Sequence, residues 1–269
     1  MSRFFNDWLT GRFMAAGGAA PDYIEFADPA VEAICAAAWG DGVGLTYAQA
    51  AAVTSIGSTF DGKSDITTFD EFKYFTGVTA LPDGAFRNCT SLVSLTLPTS
   101  CVTINQYAFR YDAALKRLCH DGQTVSDGEV DLPYLQTLSG SNTIFQGCTS
   151  LVNIKSLGSI TATTYQLFYQ CTGITTIVLP SAITSVEGQL FQGCSAMRTL
   201  VCLATTPPSV GTNAFRTGGT QRVVTVYVPY SADHSVLAAY QSATGWAIPG
   251  AGSGLKEFIE LNQDGTIPS

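Results

Sequence analysis

The stretch LFYQCTGITTIVLPSAITSVEGQLFQGCSAM, residues 167–197, contains one full repeat and the start of the next. Its phenylalanines, Phe168 and Phe191, are 23 residues apart, and each is followed by a cysteine three positions later. The pattern recurs upstream in AFRNCTSL, AFRYDAAL and IFQGCTSL, and a looser copy lies around Phe215. A fixed period of this length is typical of a solenoid, in which each repeat forms one coil stacked on the next. We therefore predict one elongated repeat domain.

Each repeat also carries apolar residues at fixed distances from its phenylalanine. They follow it by six, nine and eleven positions, as in Leu92, Leu95 and Leu97 or Ile174, Ile177 and Leu179. This alternation predicts a short strand, and Pro98 and Pro180 then end the strand because proline lacks a backbone donor. A second apolar pair precedes the phenylalanine, as in Ile183 and Val186. Each coil should therefore contribute two extended segments and one turn at Phe-x-x-Cys.

The third coil departs from this pattern. Phe145 follows Phe109 by 36 residues, and Thr137 and Gly140 stand where the apolar pair is expected. The extra residues lie near 120–131, in HDGQTVSDGEVD, and insertions in repeat proteins form loops on one face. Loop carboxylates can bind calcium, but we favour a solvated loop without metal for the acidic residues Asp121, Asp127, Glu129 and Asp131.

The phenylalanines and cysteines at fixed positions predict a structural ladder. Equivalent side chains of neighbouring coils should stack about one strand spacing (~4.8 Å) apart. Buried free cysteines act as small apolar residues, so this arrangement needs no disulfide and no metal. The predicted ladder consists of Phe86, Cys89, Phe109, Phe145, Cys148, Phe168, Cys171, Phe191 and Cys194, with Asp112 at the cysteine position of the second coil.

Composition excludes several function classes. Charged residues make up 13% of the chain and the net charge is −8, which disfavours binding to nucleic acid because that binding needs clustered Lys and Arg. No window is apolar enough to span a membrane, and Asn6, Asp7 and Arg12 interrupt the apolar amino terminus, so we expect no secretory signal. Neither His120 nor His234 lies in a catalytic motif. We expect no enzyme activity and no cofactor.

We predict that the two ends of the chain form caps, which solenoids need to cover their terminal apolar faces. Residues 1–65 form the amino-terminal segment, with a helix starting at Asp28-Pro29 and a second helix opened by a Thr46-x-x-Gln49 capping box. The solenoid spans 66–216. Residues 217–269 form a strand-helix-strand cap, in which Trp246 packs beneath the helix.

The quoted repeats resemble the BspA-like branch of the leucine-rich-repeat superfamily. The resemblance covers about residues 66–216 and rests on the period, the proline after the strand and Phe-x-x-Cys. It implies an α/β repeat solenoid of leucine-rich-repeat type, curved, with a short parallel sheet on one side. It also implies a bacterial cell-surface or secreted protein engaged in adhesion and ligand binding.

Strand geometry selects a candidate binding surface. Residues between the inward apolar positions project outward from the sheet, and a broad neutral surface suits a protein or glycan better than a small metabolite. A structural or receptor-binding part of a phage-like particle is the alternative function. The predicted ligand-binding face consists of Ser94, Thr96, Arg117, Cys119, Asn153, Lys155, Thr176, Val178, Thr199 and Val201.

Overall fold

The structure is a computed structural model and describes residues 21–140, 143–217, 224–246 and 255–269. The amino-terminal stretch in which we expect no secretory signal lies outside these ranges. Within them the backbone forms a solenoid of short parallel strands with helices towards both ends, which confirms the predicted fold class. The domain limits remain predictions.

A nine-stranded parallel sheet, the main sheet, runs along one side of the described solenoid. Neighbouring strands hold equivalent positions in register, so that Leu200 lies between Ile177 and Val226. In spatial order the strands are β1 (Thr68–Phe69), β3 (Ser94–Leu97), β5 (Arg117–His120), β6 (Glu129–Asp131), β8 (Asn153–Ser156), β9 (Thr176–Leu179), β11 (Thr199–Cys202), β13 (Val224–Val228) and β14 (Leu255–Glu260).

Shorter strands pair on a second side of each coil. They form one three-stranded and one two-stranded parallel sheet among the described residues, and a bridge between Ala162 and Ser185 extends the latter. These strands are β2 (Ala80–Leu81), β4 (Thr103–Ile104) and β7 (Thr137–Leu138) in the first sheet, and β10 (Ser185–Val186) and β12 (Ser209–Val210) in the second.

A third set of backbone hydrogen bonds joins the coils at the phenylalanine turns. The N–H of Phe145 donates to the Leu167 carbonyl at 3.0 Å, and the N–H of Gly147 donates to the Tyr169 carbonyl at 2.9 Å. The residues two positions before and after the phenylalanine adopt positive φ in several coils, as Gln166 and Gln170 do at 55° and 60°. Backbone hydrogen bonds to the neighbouring coil therefore hold the turn as well as the strands.

The repeat phenylalanines stack through the core. Ring centroids of Phe86, Phe109, Phe145 and Phe168 follow one another at 5.8, 5.3 and 5.5 Å, with nearly parallel planes. All four rings are fully buried, and offset stacking at such distances is favourable. The row extends beyond the repeats, because Phe60 stacks on Phe86 at 5.4 Å.

The repeat cysteines form a hydrogen-bonded series that we call the thiol ladder, made of Cys89, Cys148, Cys171 and Cys194. Each thiol donates to the carbonyl of the phenylalanine one coil earlier in the chain, as the Cys171 thiol does to Phe145 at 2.8 Å. All eight cysteines lie in the described ranges and are free and buried. Burial raises the pKa of Cys194 to about 12, so the thiols stay protonated.

Asp112 replaces the cysteine in the second coil. Its Oδ1 accepts a hydrogen bond from the Cys89 N–H at 2.8 Å, and its buried Oδ2 has no partner among the described residues. Burial raises the pKa of this carboxyl to about 9. A neutral acid therefore occupies this position at neutral pH.

The third coil corrects one expectation and shows which residues fill its apolar positions. The predicted solvated loop ends in strand β6, which joins the main sheet by pairing Val130 with Leu118. Thr137 and Gly140 stand at the positions of the apolar pair, but the apolar residues of this coil are the fully buried Leu135 and the partly buried Leu138, which pairs with Ile104 in the three-stranded sheet. The chain thus adds a strand to the main sheet in fewer residues than a full coil.

Helices cover the amino-terminal end of the described solenoid. Helix α1 (Pro29–Trp39) is capped by Asp28, whose Oδ1 accepts from the Ala30 N–H at 2.8 Å. Helix α2 (Tyr47–Ala52) has the predicted capping box between Thr46 and Gln49. A 3-10 helix at Asp70–Tyr74 follows β1. These elements pack on the first coil.

Helix α3 (Ser235–Ser242) covers the carboxyl-terminal side of the repeats. The hydroxyl of Tyr240 donates to the Ala204 carbonyl at 2.8 Å, and the indole N–H of Trp246 donates to the Pro208 carbonyl at 2.7 Å. Both side chains are fully buried, and Trp246 contacts Phe215 at the end of the phenylalanine row. The tryptophan therefore serves the core.

Candidate ligand-binding face

The outward side of the main sheet, here called the sheet face, divides into three parts with different chemistry. Parallel pairing in register places equivalent side chains of successive strands in rows across the sheet. The amino-terminal part belongs to β1 and β3, the middle part to β5, β6 and β8, and the carboxyl-terminal part to β9, β11, β13 and β14.

The amino-terminal part of the sheet face is covered by its own chain. Asp70, at the start of the 3-10 helix, accepts hydrogen bonds from the hydroxyls of Ser94 and Thr96, each at 3.0 Å. Ser94 is only 1% exposed. The expectation that Ser94 lies on an open face is wrong, because the side chain is buried and its hydroxyl is hydrogen bonded to the Asp70 carboxylate.

The middle part is charged and internally paired. Arg117 contacts Asp127 at 2.5 Å, and Lys155 lies 3.6 Å from Glu129 and 4.0 Å from Asp131. A hydrogen bond from the Ser126 N–H, followed by the nearby Lys155, lowers the pKa of Glu129. Three of the acidic residues, Asp127, Glu129 and Asp131, therefore lie beside lysine or arginine of the same face.

Two further observations concern the middle part. No group of three or more Asp, Glu, His or Cys side chains is arranged to hold a metal ion within the described residues. Cys119 faces outward but is only 6% exposed, and the Gln123 carbonyl of the connection to β6 lies 4.0 Å from its sulfur. The expectation that Cys119 lies on an open face is therefore wrong, because the connection from β5 to β6 passes close to its thiol.

The carboxyl-terminal part carries two neutral rows. A hydroxyl row runs through Thr176, Thr199 and Thr225, which are paired in register on adjacent strands. On β14 the row ends at Glu257, whose carboxylate accepts a hydrogen bond from the Thr225 hydroxyl at 3.1 Å. An apolar row beside it consists of Val178, Val201, Tyr227 and Ile259. Val201 is only 6% exposed, so the expectation that it lies on an open face is corrected as for Cys119. Val178, Tyr227, Ile259 and the threonines of the hydroxyl row are partly exposed. Together the rows offer hydrogen-bonding and apolar contacts over several strands.

Three residues of these rows were not among the sequence candidates. Thr225, Tyr227 and Ile259 belong to β13 and β14, which the sequence pattern places in the cap rather than in the sheet. Strand β13 shows regular alternation of buried and partly exposed residues. That alternation was the available signal, since it extends the two outward positions of each repeat strand into the cap.

The repeats match a known family model. Six copies of the BspA type leucine rich repeat region match residues 50–126 and 130–235, which together make up more than half of the chain. The chain belongs to the BspA-type leucine-rich-repeat family. The match begins before and ends beyond the expected 66–216, and its interruption falls in the acidic stretch of the third coil.

Solved structures that resemble this BspA-type chain include three bacterial leucine-rich-repeat proteins. The T. pallidum leucine-rich repeat protein is 22% identical with a TM-score of 0.43, covering 52% of this chain and 70% of that protein. A protein from Bacteroides ovatus ATCC 8483 is 18% identical with a TM-score of 0.26 over 78% of this chain. A leucine-rich cell surface protein from Faecalibacterium prausnitzii A2-165 is 18% identical with a TM-score of 0.29 over 80% of it. The chain spans 64% and 66% of the last two proteins. No curated protein matches it.

The two histidines of this BspA-type chain take structural roles. The His120 ring lies in the core with Nε2 2.8 Å from the Cys101 carbonyl oxygen, and burial lowers its pKa. His234 pairs with Glu260 at 2.5 Å. Leucine-rich-repeat proteins are generally non-catalytic binding modules, and none of the described helices is long and apolar enough to cross a bilayer. The family and the chemistry of the sheet face are consistent with protein binding.

Proposed function

We propose that this chain is a non-catalytic adhesion or recognition module that binds a protein or glycan through the carboxyl-terminal part of the sheet face. The observation that carries the proposal is the pair of neutral rows, one through Thr176 and Thr199 and the other with Val178 and Tyr227 as its partly exposed members, held in register on adjacent strands. Elsewhere on this face, and at the β14 edge of the hydroxyl row where Thr225 donates to Glu257, the outward groups already bind each other, as Thr96 binds Asp70 and Lys155 lies by Glu129.

The rows suit a broad partner for physical reasons. Threonine hydroxyls donate and accept hydrogen bonds, and an apolar row beside them contributes area that water leaves on binding. The strands offer a continuous surface, whereas a small metabolite would require a deep apolar pocket. Arg117, Asn153 and Lys155 then border the contact rather than form its centre.

The family supports the same assignment. Its members generally act as binding modules, and the F. prausnitzii protein that resembles the chain is described as a cell surface protein. We extend a surface location to this chain as part of the proposal. Cell fractionation tests it, and recovery of the native protein in phage-like particles would instead favour the structural alternative.

Substitutions in the hydroxyl row test the binding surface. Thr176→Glu and Thr199→Glu should each abolish ligand capture, because they place an uncompensated charge within a neutral contact. Thr172→Glu is the matched control, since Thr172 is exposed in the turn after Cys171 and lies outside the sheet. The readouts are glycan-array binding and pull-down of host proteins, with thermal unfolding to show that all variants are folded.

Comparison with Thr172→Glu separates loss of the binding surface from a general effect of added charge. Loss of capture in the two row variants with retention in Thr172→Glu supports the proposal. Equal capture by all three variants would show that binding takes place elsewhere, and loss in all three would show that added negative charge alone prevents binding.

A further inference from the structure

Arg110 lies between two tyrosines on the phenylalanine turn of the second coil, away from the sheet face. Its guanidinium carbon is 5.3 Å from the ring centroid of Tyr107 and 4.7 Å from that of Tyr111. Its Nε donates to Gln146 Oε1 at 2.9 Å, and its Nη2 donates to the Tyr111 hydroxyl at 2.9 Å. Both contacts are to neutral groups.

Both tyrosines adopt the left-handed backbone conformation. Tyr107 and Tyr111 have φ of 62° and 70°, a region that is unfavourable for a residue with a side chain because its Cβ approaches the following carbonyl oxygen. Gly84 and Gly147 occupy the equivalent positions in neighbouring coils at no such cost. Tyrosine at both positions of one coil is therefore not required by the turn itself.

Gly147 makes room for the ring of Tyr111. A Cβ at Gly147 would lie 3.0 Å from Cδ1 of Tyr111, so the glycine lets the ring lie against the next coil. Gln146, one residue earlier, donates to the Tyr111 hydroxyl at 3.3 Å. Arginine, tyrosine and glutamine are thus held by one another before any ligand arrives.

Several hydrogen-bond donors of Arg110 and Tyr111 have no acceptor among the described residues. Nε of Arg110 donates to Oε1 of Gln146, which fixes that amide so that its NH₂ group faces the Tyr111 hydroxyl. The hydroxyl oxygen accepts from Arg110 and Gln146, so its own proton is left to donate outward. Three N–H groups of the guanidinium also have no acceptor among the described residues. Tyr111 is 40% exposed, and the donors can therefore meet a ligand.

Arg87, which follows Phe86 as Arg110 follows Phe109, is an arginine at the equivalent turn position whose hydrogen bonds are made to a carboxylate. It occupies the equivalent position one coil earlier and makes two hydrogen bonds to the Asp61 carboxylate, with Nε at 3.0 Å and Nη2 at 2.5 Å. Arg110 has no carboxylate within 4.0 Å among the described residues. The guanidinium fork matches a carboxylate in geometry as well as charge.

We propose that Arg110 and Tyr111 bind a carboxylate of an acidic polypeptide segment, at a site separate from the sheet face. The remaining N–H groups of the guanidinium and the tyrosyl O–H together provide donors and no acceptor, which selects an anion. We favour a polypeptide over an acidic sugar because the guanidinium already covers one face of each tyrosine ring, which leaves less aromatic surface for a sugar to stack on.

Capture of a glutamate homopolymer peptide by the immobilised full chain tests the site, with a glutamine homopolymer of equal length as the uncharged control. Nonspecific attraction is not expected, because the chain carries a net charge of −8. Polygalacturonate provides the acidic-sugar arm. We expect the glutamate peptide to bind, and the glutamine peptide and polygalacturonate to bind at least tenfold more weakly.

Three variants assign the binding to named groups. Arg110→Gln should weaken capture of the glutamate peptide roughly tenfold or more, because charge-assisted hydrogen bonds are lost. Tyr111→Phe keeps the ring and removes the hydroxyl, so a smaller loss is expected. Arg87→Gln removes the same charge from the same row and should leave capture unchanged, since Arg87 is occupied by Asp61.

The results separate this site from the sheet face. Unchanged capture by folded Arg110→Gln, equal capture of the glutamine peptide, or Arg110-dependent capture of polygalacturonate alone would overturn the proposal. Thr176→Glu and Thr199→Glu should still capture the glutamate peptide, so failure of the sheet-face proposal leaves this one intact.

Discussion

The coils around Phe145, Phe168 and Phe191 and the coil around Phe109 share one backbone frame but differ in what they bury. The first group places a cysteine three residues after the phenylalanine, and each thiol finds a carbonyl in the preceding coil. The Phe109 coil places Asp112 there, with one oxygen unpartnered among the described residues. The unfavourable Asp112 side chain is therefore tolerated in a coil whose backbone is hydrogen bonded to its neighbours in the main sheet, in the three-stranded sheet and at the phenylalanine turn.

The largest expected effect concerns the regular coils. Phe168→Ala should lower the free energy of unfolding by about 3–5 kcal/mol, because it leaves a cavity in a fully buried row. Urea unfolding followed by circular dichroism measures the change. A loss below about 1 kcal/mol would show that neighbouring coils collapse into the space. The coils that carry the cysteine would then be less rigid than the stacking of their phenylalanine rings indicates.

The second prediction concerns Asp112. Its pKa is raised to about 9 in the folded protein and lies near ~3.9 in an unfolded chain. The folded state thus holds the proton more tightly, and stability is highest below the unfolded-state pKa and falls as pH rises towards about 9. Urea unfolding between these pH values should show this decline.

Asp112→Cys is the matched variant, because it restores the residue of the other coils. We expect it to raise the free energy of unfolding by about 1–3 kcal/mol at mildly alkaline pH, where a buried oxygen without a partner is most costly. The pH dependence should weaken in parallel. A variant that is no more stable than the wild type, with an unchanged pH profile, would contradict the role assigned to Asp112.

The smallest effect belongs to the charged part of the sheet face. Asp127→Asn removes the partner of Arg117 and should change stability by less than about 1 kcal/mol, because both side chains are exposed. The same urea experiment applies, and the difference should shrink further at high salt. A larger loss would show that the connection between β5 and β6 depends on this pair.

The sequence was sufficient for the repeated part of the fold. Period, proline and Phe-x-x-Cys predict the solenoid because every coil repeats the same contacts, and one residue such as Phe168 therefore reports on its equivalents. Phe60 belongs to the same stacked row but is not followed by a cysteine at the repeat position, so the pattern did not reveal it. Leu138 was missed because the spacing to the next phenylalanine changes in that coil.

The candidate site was less accessible from sequence. Alternation predicts which residues point outward, as for Thr176 and Thr199, but it does not show what lies over them. Asp70 binds Ser94 across 24 residues, and the connection after β5 comes close to the Cys119 sulfur. Such contacts depend on the path of irregular segments, for which the sequence has no period.

The thiol ladder has a consequence for life in an oxidising environment. Stacked coils bring equivalent cysteines to about one strand spacing (~4.8 Å), a separation at which a disulfide can form. In the folded chain each thiol is hydrogen bonded, and burial raises the pKa of Cys171 well above its ordinary value, so the reactive thiolate is scarce. Unfolding separates the coils and exposes these thiols, which can then be oxidised to disulfides that do not belong to the fold. Where oxidation is faster than refolding, the lifetime of the protein would be set by its unfolding rate.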